Sequence, residues 1–486
     1  MTLRDSLRQL ARRLGDETRG RLHLDFALLA GTLALGVSWG LWSCQSPTPV
    51  PPRVVRGAMP VIDRDLPTTE PDMRVRIRAV VESVRLTGPT EFIVRAGAGE
   101  SRTFSGPLTI IATESGCRIT DGREDNQGIT GVPCIDIDAA PKTSPSQTVE
   151  RIRVDGTPYP GRMRILLRSG GPIADAGGFQ PPGRGLLASV TPASSESDPR
   201  LDVLELVPLE TYLAGVIVSE MPKHWPLGAF HVQAVCARTY ALHERQRAIK
   251  AGRTWDLEAG EIDQAYNGGP EIPIAAKAVA ETRGVVLTTE GHVLRAYYSS
   301  TCGGRTAGAA TIWPTGPGFE FNLDKPIQAN PRESLCQGSP IYRWSVTRER
   351  AELSKQIRQW ARANSHPCAK MGYISSLRVD KTNEVGRPTR YILTDDEGDK
   401  FAIAAELLRV ACNYTIPGVK ITKETRVRSG DMEMEVTPGG VVVSGRGFGH
   451  GVGMCQYCAK AMAERGDTWR DMVARFYPGA KLERAY

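Results

Sequence analysis

Val207-Pro208-Leu209-Glu210-Thr211-Tyr212-Leu213-Ala214-Gly215-Val216-Ile217-Val218-Ser219-Glu220-Met221-Pro222 is the stretch on which the reading of this chain turns. Pro208 suits a first helical turn, where the N–H it lacks would have no partner anyway. Leu209, Tyr212, Leu213, Val216, Ile217 and Glu220 then fall at i, i+3, i+4, i+7, i+8 and i+11, one face of a helix. Pro222 prevents continuation. Glu220 therefore ends an apolar stripe on a backbone that is fixed just beyond it, with His224-Trp225 as an aromatic wall nearby. A carboxyl group on the rim of an apolar face can be held protonated near neutral pH, which makes Glu220 the candidate catalytic acid. The plain alternative is a helix-end glutamate in solvent, or one paired with Lys223 or Arg238.

Downstream, Pro226 opens a second helix that runs to about Ala248, and Gln233 and Tyr240 lie two turns apart on one face of it, where both can line a groove. A loop through Asp256 and Tyr266 leads to a helix over Ile274 to Thr282. A strand pair follows, Val285 to Thr288 and Val293 to Tyr298, turning at Glu290-Gly291. Tyr298-Ser299-Ser300-Thr301-Cys302-Gly303-Gly304 reads as a strand running into a hydroxyl-rich loop. A nucleophile there would need a base, for which only His292 and His450 offer themselves. From Arg348 to Cys412 the order is helix, strand (Ile374 to Val379), strand (Arg390 to Thr394) and helix (Ala404 to Val410). Near the end, Gly445-Arg446-Gly447-Phe448-Gly449-His450-Gly451-Val452-Gly453 separates a strand, Val441 to Val443, from a helix, Met454 to Glu464. Alternating glycines let backbone N–H groups approach a ligand. The loop lacks the Gly-Lys-Ser/Thr of a phosphate loop and the spacing of a dinucleotide fingerprint. His450, isolated among glycines, reads as a site residue.

Upstream, Met73 to about Leu206 alternates short apolar runs with Gly/Pro/Asp punctuation, as in Val75 to Val81 and Met163 to Leu167, and reads as strands. The fold class is α+β: a β-rich part over 73–206 packed on a mixed α/β catalytic core over 207–345, then an α/β subdomain over 346–425 and a C-terminal part over 426–486. A Pro-rich linker over 45–72 precedes them. Before it, six arginines up to Arg21 flank an uncharged run over 26–42. That run is roughly 25 Å long as a helix, enough for a thin bilayer. The arginines place residues 1–25 in the cytoplasm and the bulk outside. A cleaved signal peptide and a lipoprotein site at Cys44 are the alternatives.

All ten cysteines lie beyond the apolar run, as suits an exported chain in which disulfides persist. Cys117 with Cys134, Cys302 with Cys336, and Cys368 with Cys412 are plausible pairs, though connectivity is not readable from sequence. Cys455-Gln456-Tyr457-Cys458 could be a redox pair or half a zinc site, but no second C-x-x-C accompanies it. No cofactor and no resident metal are expected. A net charge of +7 over 486 residues, without a basic stripe interleaved with aromatics, suits an anionic polymer and argues against nucleic acid as a partner.

Several of these segments together resemble the SpoIID/LytB domain family: Val207 to Pro222, Gln233 to Tyr240, Ser300 to Gly304, Tyr342-Arg343-Trp344, Gly386-Arg387 and Gly445 to Gln456, in the family's order. The resemblance implies a lytic transglycosylase acting on peptidoglycan glycan strands, or an enhancer of an N-acetylmuramoyl-L-alanine amidase. It implies Glu220 as the catalytic acid. From residue type and the resemblance, Gln233, Arg238, Tyr240, Ser300, Thr301, His450, Gly451 and Gln456 are expected to bind substrate. Trp225, Trp313 and Trp344 are candidates for stacking on sugar rings. The expected partners are glycan strands, a cell-wall amidase, and the membrane through the N-terminal helix. Cys236, Cys455 and Cys458 depart from the small residues or serine usual at those positions. Arg305 stands where His or Lys is common.

Overall fold

The computed structural model describes residues 66–96, 100–114, 116–122, 134–140, 150–168, 199–260, 262–269 and 272–486. The expected cytoplasmic segment, the anchor over 26–42, the linker up to residue 65 and the cysteine at 44 lie outside these residues. No helix among the described residues is long and apolar enough to cross a membrane.

The β-rich part forms two antiparallel-dominated sheets. The strand expected from Val75 spans Asp72–Val81 and pairs with Arg200–Pro208, from Asp72 opposite Pro208 to Val81 opposite Leu201. On its other side Arg200–Pro208 pairs with Arg162–Arg168. Seven strands make this sheet among the described residues, and five make the second. Both sheets send residues into one core, including Val75, Phe92, Ile137 and Val203 from the first and Ile110 and Val154 from the second. Arg200–Pro208 is buried along nearly its whole length, as expected of a strand covered on both faces.

That strand delivers the chain directly into helix α1 (Leu209–Glu220). Pro208 offers no side-chain cap. The orphan N–H groups of the first turn are met instead from upstream, by the Pro71 carbonyl at 3.0 Å from the Leu209 nitrogen and the Glu70 carboxylate at 2.8 Å from that of Glu210. Helix α2 (Leu227–Lys250) is buried continuously from Val232 to Glu244, so it is the central rod of the core rather than a surface helix. Its polar residues in that stretch must find partners inside the protein. Helix α3 (Pro273–Glu281) packs beside α1 and α2 and leads into Val285–Thr289. The hairpin turn uses Glu290 and Gly291 with φ of +48° and +88°, as a two-residue type I′ turn requires.

One element departs from the sequence reading. The second strand of that hairpin ends at Val293. Tyr298–Ser299 instead pairs in parallel with Met454–Cys455, 156 residues later. This pairing joins the hydroxyl-rich loop to the end of the glycine loop.

A second hydrophobic core runs from Trp344 to Val443. Helices α4 (Arg350–Ala363) and α5 (Ala405–Cys412) cover two three-stranded sheets, one over 374–404 and one made of Arg343–Arg348, Gly440–Arg446 and Met432–Thr437. The Ile374 and Arg390 strands form as expected, with a third, Lys400–Ala404, beside them. The chain then returns to the first core through the glycine loop, helix α6 (Gln456–Glu464) and helix α7 (Trp469–Phe476). Its last strand, Lys481–Arg484, pairs with Val285–Thr289.

Candidate active site

Glu220 is the last residue of α1. The Met221 N–H still bonds to the Ile217 carbonyl at 3.0 Å, and Pro222 stops the helix there. One carboxylate oxygen accepts the backbone N–H of Ala265 at 3.1 Å. The other accepts the Gln456 amide at 3.2 Å, and the same Gln456 nitrogen reaches the Gln233 carbonyl oxygen at 3.2 Å. Helix α1, helix α2, the 264–269 loop and the start of α6 therefore meet at one half-buried carboxyl group. Of the sequence alternatives for Glu220, pairing with Arg238 does not occur, because Arg238 is taken up by Glu210 at 2.6 Å.

The loop that brings Ala265 is seated on α1 by shape. A Cβ at Gly215 would lie 2.6 Å from the Tyr266 ring, so only glycine lets the loop approach the helix this closely. Tyr212 and Tyr266 pack with centroids 4.7 Å apart. The Tyr212 hydroxyl donates to the Gln264 side-chain oxygen at 3.0 Å, which fixes the Gln264 amide so that its nitrogen donates to the Tyr298 hydroxyl at 3.1 Å and the Ala237 carbonyl at 3.3 Å. Burial, with the Glu220 charge nearby, holds the Tyr298 phenol well above its ordinary range, so it stays a neutral group beside the carboxyl. Gln264, Ala265 and Tyr298 are absent from the sequence-derived list. Ala265 acts through its peptide, so its residue type carries no signal.

The glycine loop reaches this region through its end, where Met454–Cys455 pairs with Tyr298–Ser299. Gly453, at φ +68°, lets the backbone pass so close to the Tyr297 carbonyl that a Cβ would sit 2.1 Å from its oxygen. His450 Nδ1 accepts the Val452 N–H at 3.0 Å. Its ring packs edge-on against Trp313, at 4.9 Å, and Tyr297, at 5.9 Å. Burial pushes the imidazole down to about 4, with the Glu406 charge acting the other way. His450 is therefore neutral at pH 7. With Nδ1 accepting, the hydrogen-bond pattern assigns the proton to Nε2. The ring also hydrogen-bonds to the backbone of Tyr298, and it is a poor acceptor of further charge.

The remaining expected binders fall into two groups. Gln456 joins Glu220 directly and Gln233 joins it through Gln456. Ser300 is half-buried and its carbonyl accepts the Tyr457 N–H at 3.1 Å, next to Gln456. Thr301 is buried, bonded through its hydroxyl to Ser339 at 3.1 Å and paired through its backbone with Phe448. Gly451 carries the Arg387 guanidinium against its Cα face. Arg238 and Tyr240 stand apart. Arg238 is fully buried and clamps Glu210 with Nε and Nη2, while Nη2 also reaches the Val279 carbonyl and Nη1 that of Val285. Tyr240 donates to Asp263 at 3.1 Å and accepts from Arg295 at 3.0 Å, inside a buried charged network. Burial raises Asp263 to about 6. Of the tryptophans, Trp225 is buried against Tyr457 and Trp344 lies in the second core. Trp313 remains half-buried, stacked on Tyr297 at 3.9 Å.

Two hollows of about 520 and 300 Å³ are lined, respectively, by residues such as Thr306, Arg332 and Glu384, and by residues such as Thr211, Gly268 and Arg283. Glu220 lines neither, so its assignment rests on its hydrogen bonds and not on cavity size. Among the described residues no disulfide is formed, and the nine cysteines are free. Cys302 and Cys336 do come together, with their sulfurs 3.6 Å apart, too far for an S–S bond. They do so within a group of four, with Cys455 and Cys458, whose sulfurs all lie within 4.8 Å of one another. This is the one group among the described residues of the kind that holds a metal ion.

Residues 197–289, which contain α1, Glu220, α2 and the Ala265 loop, match the family described as Stage II sporulation protein, SpoIID. Residues 322–453, which contain the second core and His450, match a domain of unknown function, DUF8618. The chain is 30% identical over 295 residues to a Bacillus subtilis (strain 168) protein named amidase enhancer, covering 56% of this chain and 40% of that protein. It is 27% identical over 296 residues to Stage II sporulation protein D of the same organism, covering 58% and 76%, and 26% identical over 300 residues to its namesake in Bacillus amyloliquefaciens, covering 58% and 76%. The chain thus spans less than half the length of the amidase enhancer. The match falls on the helices that hold Glu220, and together with these relatives it makes the segment over 197–289 similar to the SpoIID family.

Proposed function

We propose that this chain is a peptidoglycan lytic transglycosylase that cleaves the MurNAc–GlcNAc bond of glycan strands, favouring strands without stem peptides. The observation that carries the reading is the Glu220 carboxyl, held at a helix end by one backbone N–H and one neutral amide. Such a cleavage needs a proton delivered to the leaving glycosidic oxygen and then removed from the muramic O6 hydroxyl. One carboxyl group can do both in turn. The attacking hydroxyl belongs to the substrate, so no second carboxylate nucleophile is required, unlike the two-carboxylate scheme. Attack within one sugar also benefits from high effective molarity. In this reading Gln456 positions the carboxyl with Gln233 behind it, Tyr298 borders it, and the half-buried Ser300 and His450 orient sugar hydroxyls and N-acetyl groups. The run over 26–42 anchors the chain in the membrane, with its bulk on the outer side, where the wall lies.

A second reading draws on the relative named amidase enhancer: a wall-binding protein that stimulates an N-acetylmuramoyl-L-alanine amidase and cuts nothing itself. One experiment separates them. The full chain in detergent is incubated with peptide-free glycan strands, and separately with intact peptidoglycan and an added amidase. New 1,6-anhydro ends by mass spectrometry in the first arm support the enzyme. Their absence, with faster amidase release in the second, supports the enhancer.

A further inference from the structure

We propose that Cys302, Cys336, Cys455 and Cys458 form a structural zinc site that fixes the position of Gln456, and through it of Glu220. The positioning clause rests on the reading of Glu220 given above; the metal site does not. All four side chains are buried, at 1–3% exposure. The sulfurs of Cys302 and Cys336 are 3.6 Å apart and those of Cys302 and Cys458 are 4.0 Å apart. Thiolates about 2.3 Å from a tetrahedral zinc stand about 3.8 Å from one another, which is the spacing seen. A disulfide would need about 2.05 Å. An iron–sulfur cube holds its thiolates further apart, one on each corner iron.

The surroundings suit thiolates. The Cys302 N–H points at the Cys455 sulfur at 3.3 Å, and the Ser334 hydroxyl lies 3.4 Å from that of Cys336. Donors of this kind are the supporting shell that metal-bound sulfur requires. Cys455 and Cys458 flank and enter the first turn of α6, where the helix favours negative charge. Four thiolates and one Zn²⁺ leave a net charge of −2. The buried Arg387 guanidinium stands beside the cluster, donating to the Cys302 carbonyl at 3.4 Å while its other terminal nitrogen has no hydrogen-bond partner. The site ties together three segments distant in sequence: the loop after Tyr298–Ser299, the loop before Tyr342, and the start of α6. Gln456, whose amide holds Glu220, lies between two of the four ligands.

The test is metal analysis of the purified full chain in detergent, together with mass spectrometry after alkylation of its thiols. One zinc per chain is expected, released by a mercurial reagent, and in a separate sample unfolded with a chelator all four cysteines should alkylate as thiols. Cobalt substitution should give the visible bands of a tetrahedral tetrathiolate ion. Cys336→Ser should retain far less zinc against a chelator, exceeding the about 10- to 100-fold loss typical when a ligand's support is removed. Cys134→Ser, outside the cluster, should retain it fully. A wild-type chain without metal and with two disulfides among these cysteines overturns the proposal, as does iron in place of zinc. These readouts need no cleavage activity, so they stand or fall separately from the transglycosylase reading.

Discussion

Replacing Arg238 by methionine should damage the fold and leave the chemistry near Glu220 largely alone. The guanidinium is fully buried, and its Nε and Nη2 atoms hold the two oxygens of Glu210 at 2.9 and 2.6 Å. Further donors reach the Val285 and Val279 carbonyls at 3.2 and 3.3 Å. These contacts pin α2 to α1, α3 and the strand after it. Methionine fills much of the volume but leaves Glu210 as a buried charge with only the Gly284 N–H and the Tyr486 hydroxyl as remaining donors among these contacts. Removing one partner of a buried pair costs roughly 3–5 kcal/mol, and each abandoned carbonyl acceptor adds about 1 kcal/mol or more. The double variant Arg238→Met/Glu210→Gln removes the stranded charge and keeps an acceptor for both remaining donors, so it should recover about 1–3 kcal/mol. The assay is denaturant unfolding followed by tryptophan fluorescence, with glycan binding measured at a temperature where each variant is folded. If Arg238→Met is as stable as wild type and loses glycan binding instead, Arg238 faces a ligand and the clamp described here is wrong.

Three further outcomes follow from the geometry. Glu205 is buried and its carboxyl is pushed up to about 7, chiefly by burial, against the Tyr266 hydroxyl and the Gly161 N–H. The folded state thus holds this proton more tightly than the unfolded chain, whose glutamate titrates at about 4.3. Its contribution is complete below that value and is lost as pH rises through about 7, by roughly 4 kcal/mol. Glu205→Gln should therefore flatten stability between pH 5 and 8 and be the more stable form at pH 8, as read by chemical unfolding at both pH values; a wild-type curve equally flat would refute this. Gly215→Ala drives a methyl group to 2.6 Å from the Tyr266 ring and should cost about 1–3 kcal/mol while lifting Ala265 from Glu220, seen as lower cleavage in strands that still bind. Gln456→Ala removes the amide shared by Glu220 and Gln233 and should slow cleavage by up to about 100-fold through a misplaced carboxyl, with little change in the affinity for glycan.

Local signals carried the fold a long way. Helix α1 was legible because its apolar period of 3.6 is bracketed by two prolines, each blocking extension for a covalent reason. The strand at Val75 and the helix after Ile374 and Arg390 were legible for similar reasons of alternation and punctuation. What sequence could not supply was assembled across long separations. The strand over Tyr298–Ser299 is shortened because its partner is Met454–Cys455, not its neighbour in sequence. Arg238 looks like a surface arginine on a helix until Glu210, 28 residues earlier, is seen to meet it in the core. Cys455 and Cys458 looked like half a metal site without a second half, because Cys302 lies 156 residues from Cys458 and Cys336 comes from yet another loop. Gln456 was expected at the site by type and resemblance. Ala265 could not be, since a peptide N–H belongs to every residue but proline.

The most direct measurement compares wild type with Glu220→Gln on purified peptide-free glycan strands, scoring 1,6-anhydro ends by mass spectrometry and strand binding by co-sedimentation. Glutamine keeps the acceptor that meets the Ala265 N–H and cannot donate or take a proton as an acid does. The account predicts abundant anhydro ends with wild type, and none above background with the variant, which still folds and binds. Equal digestion by both proteins would contradict it.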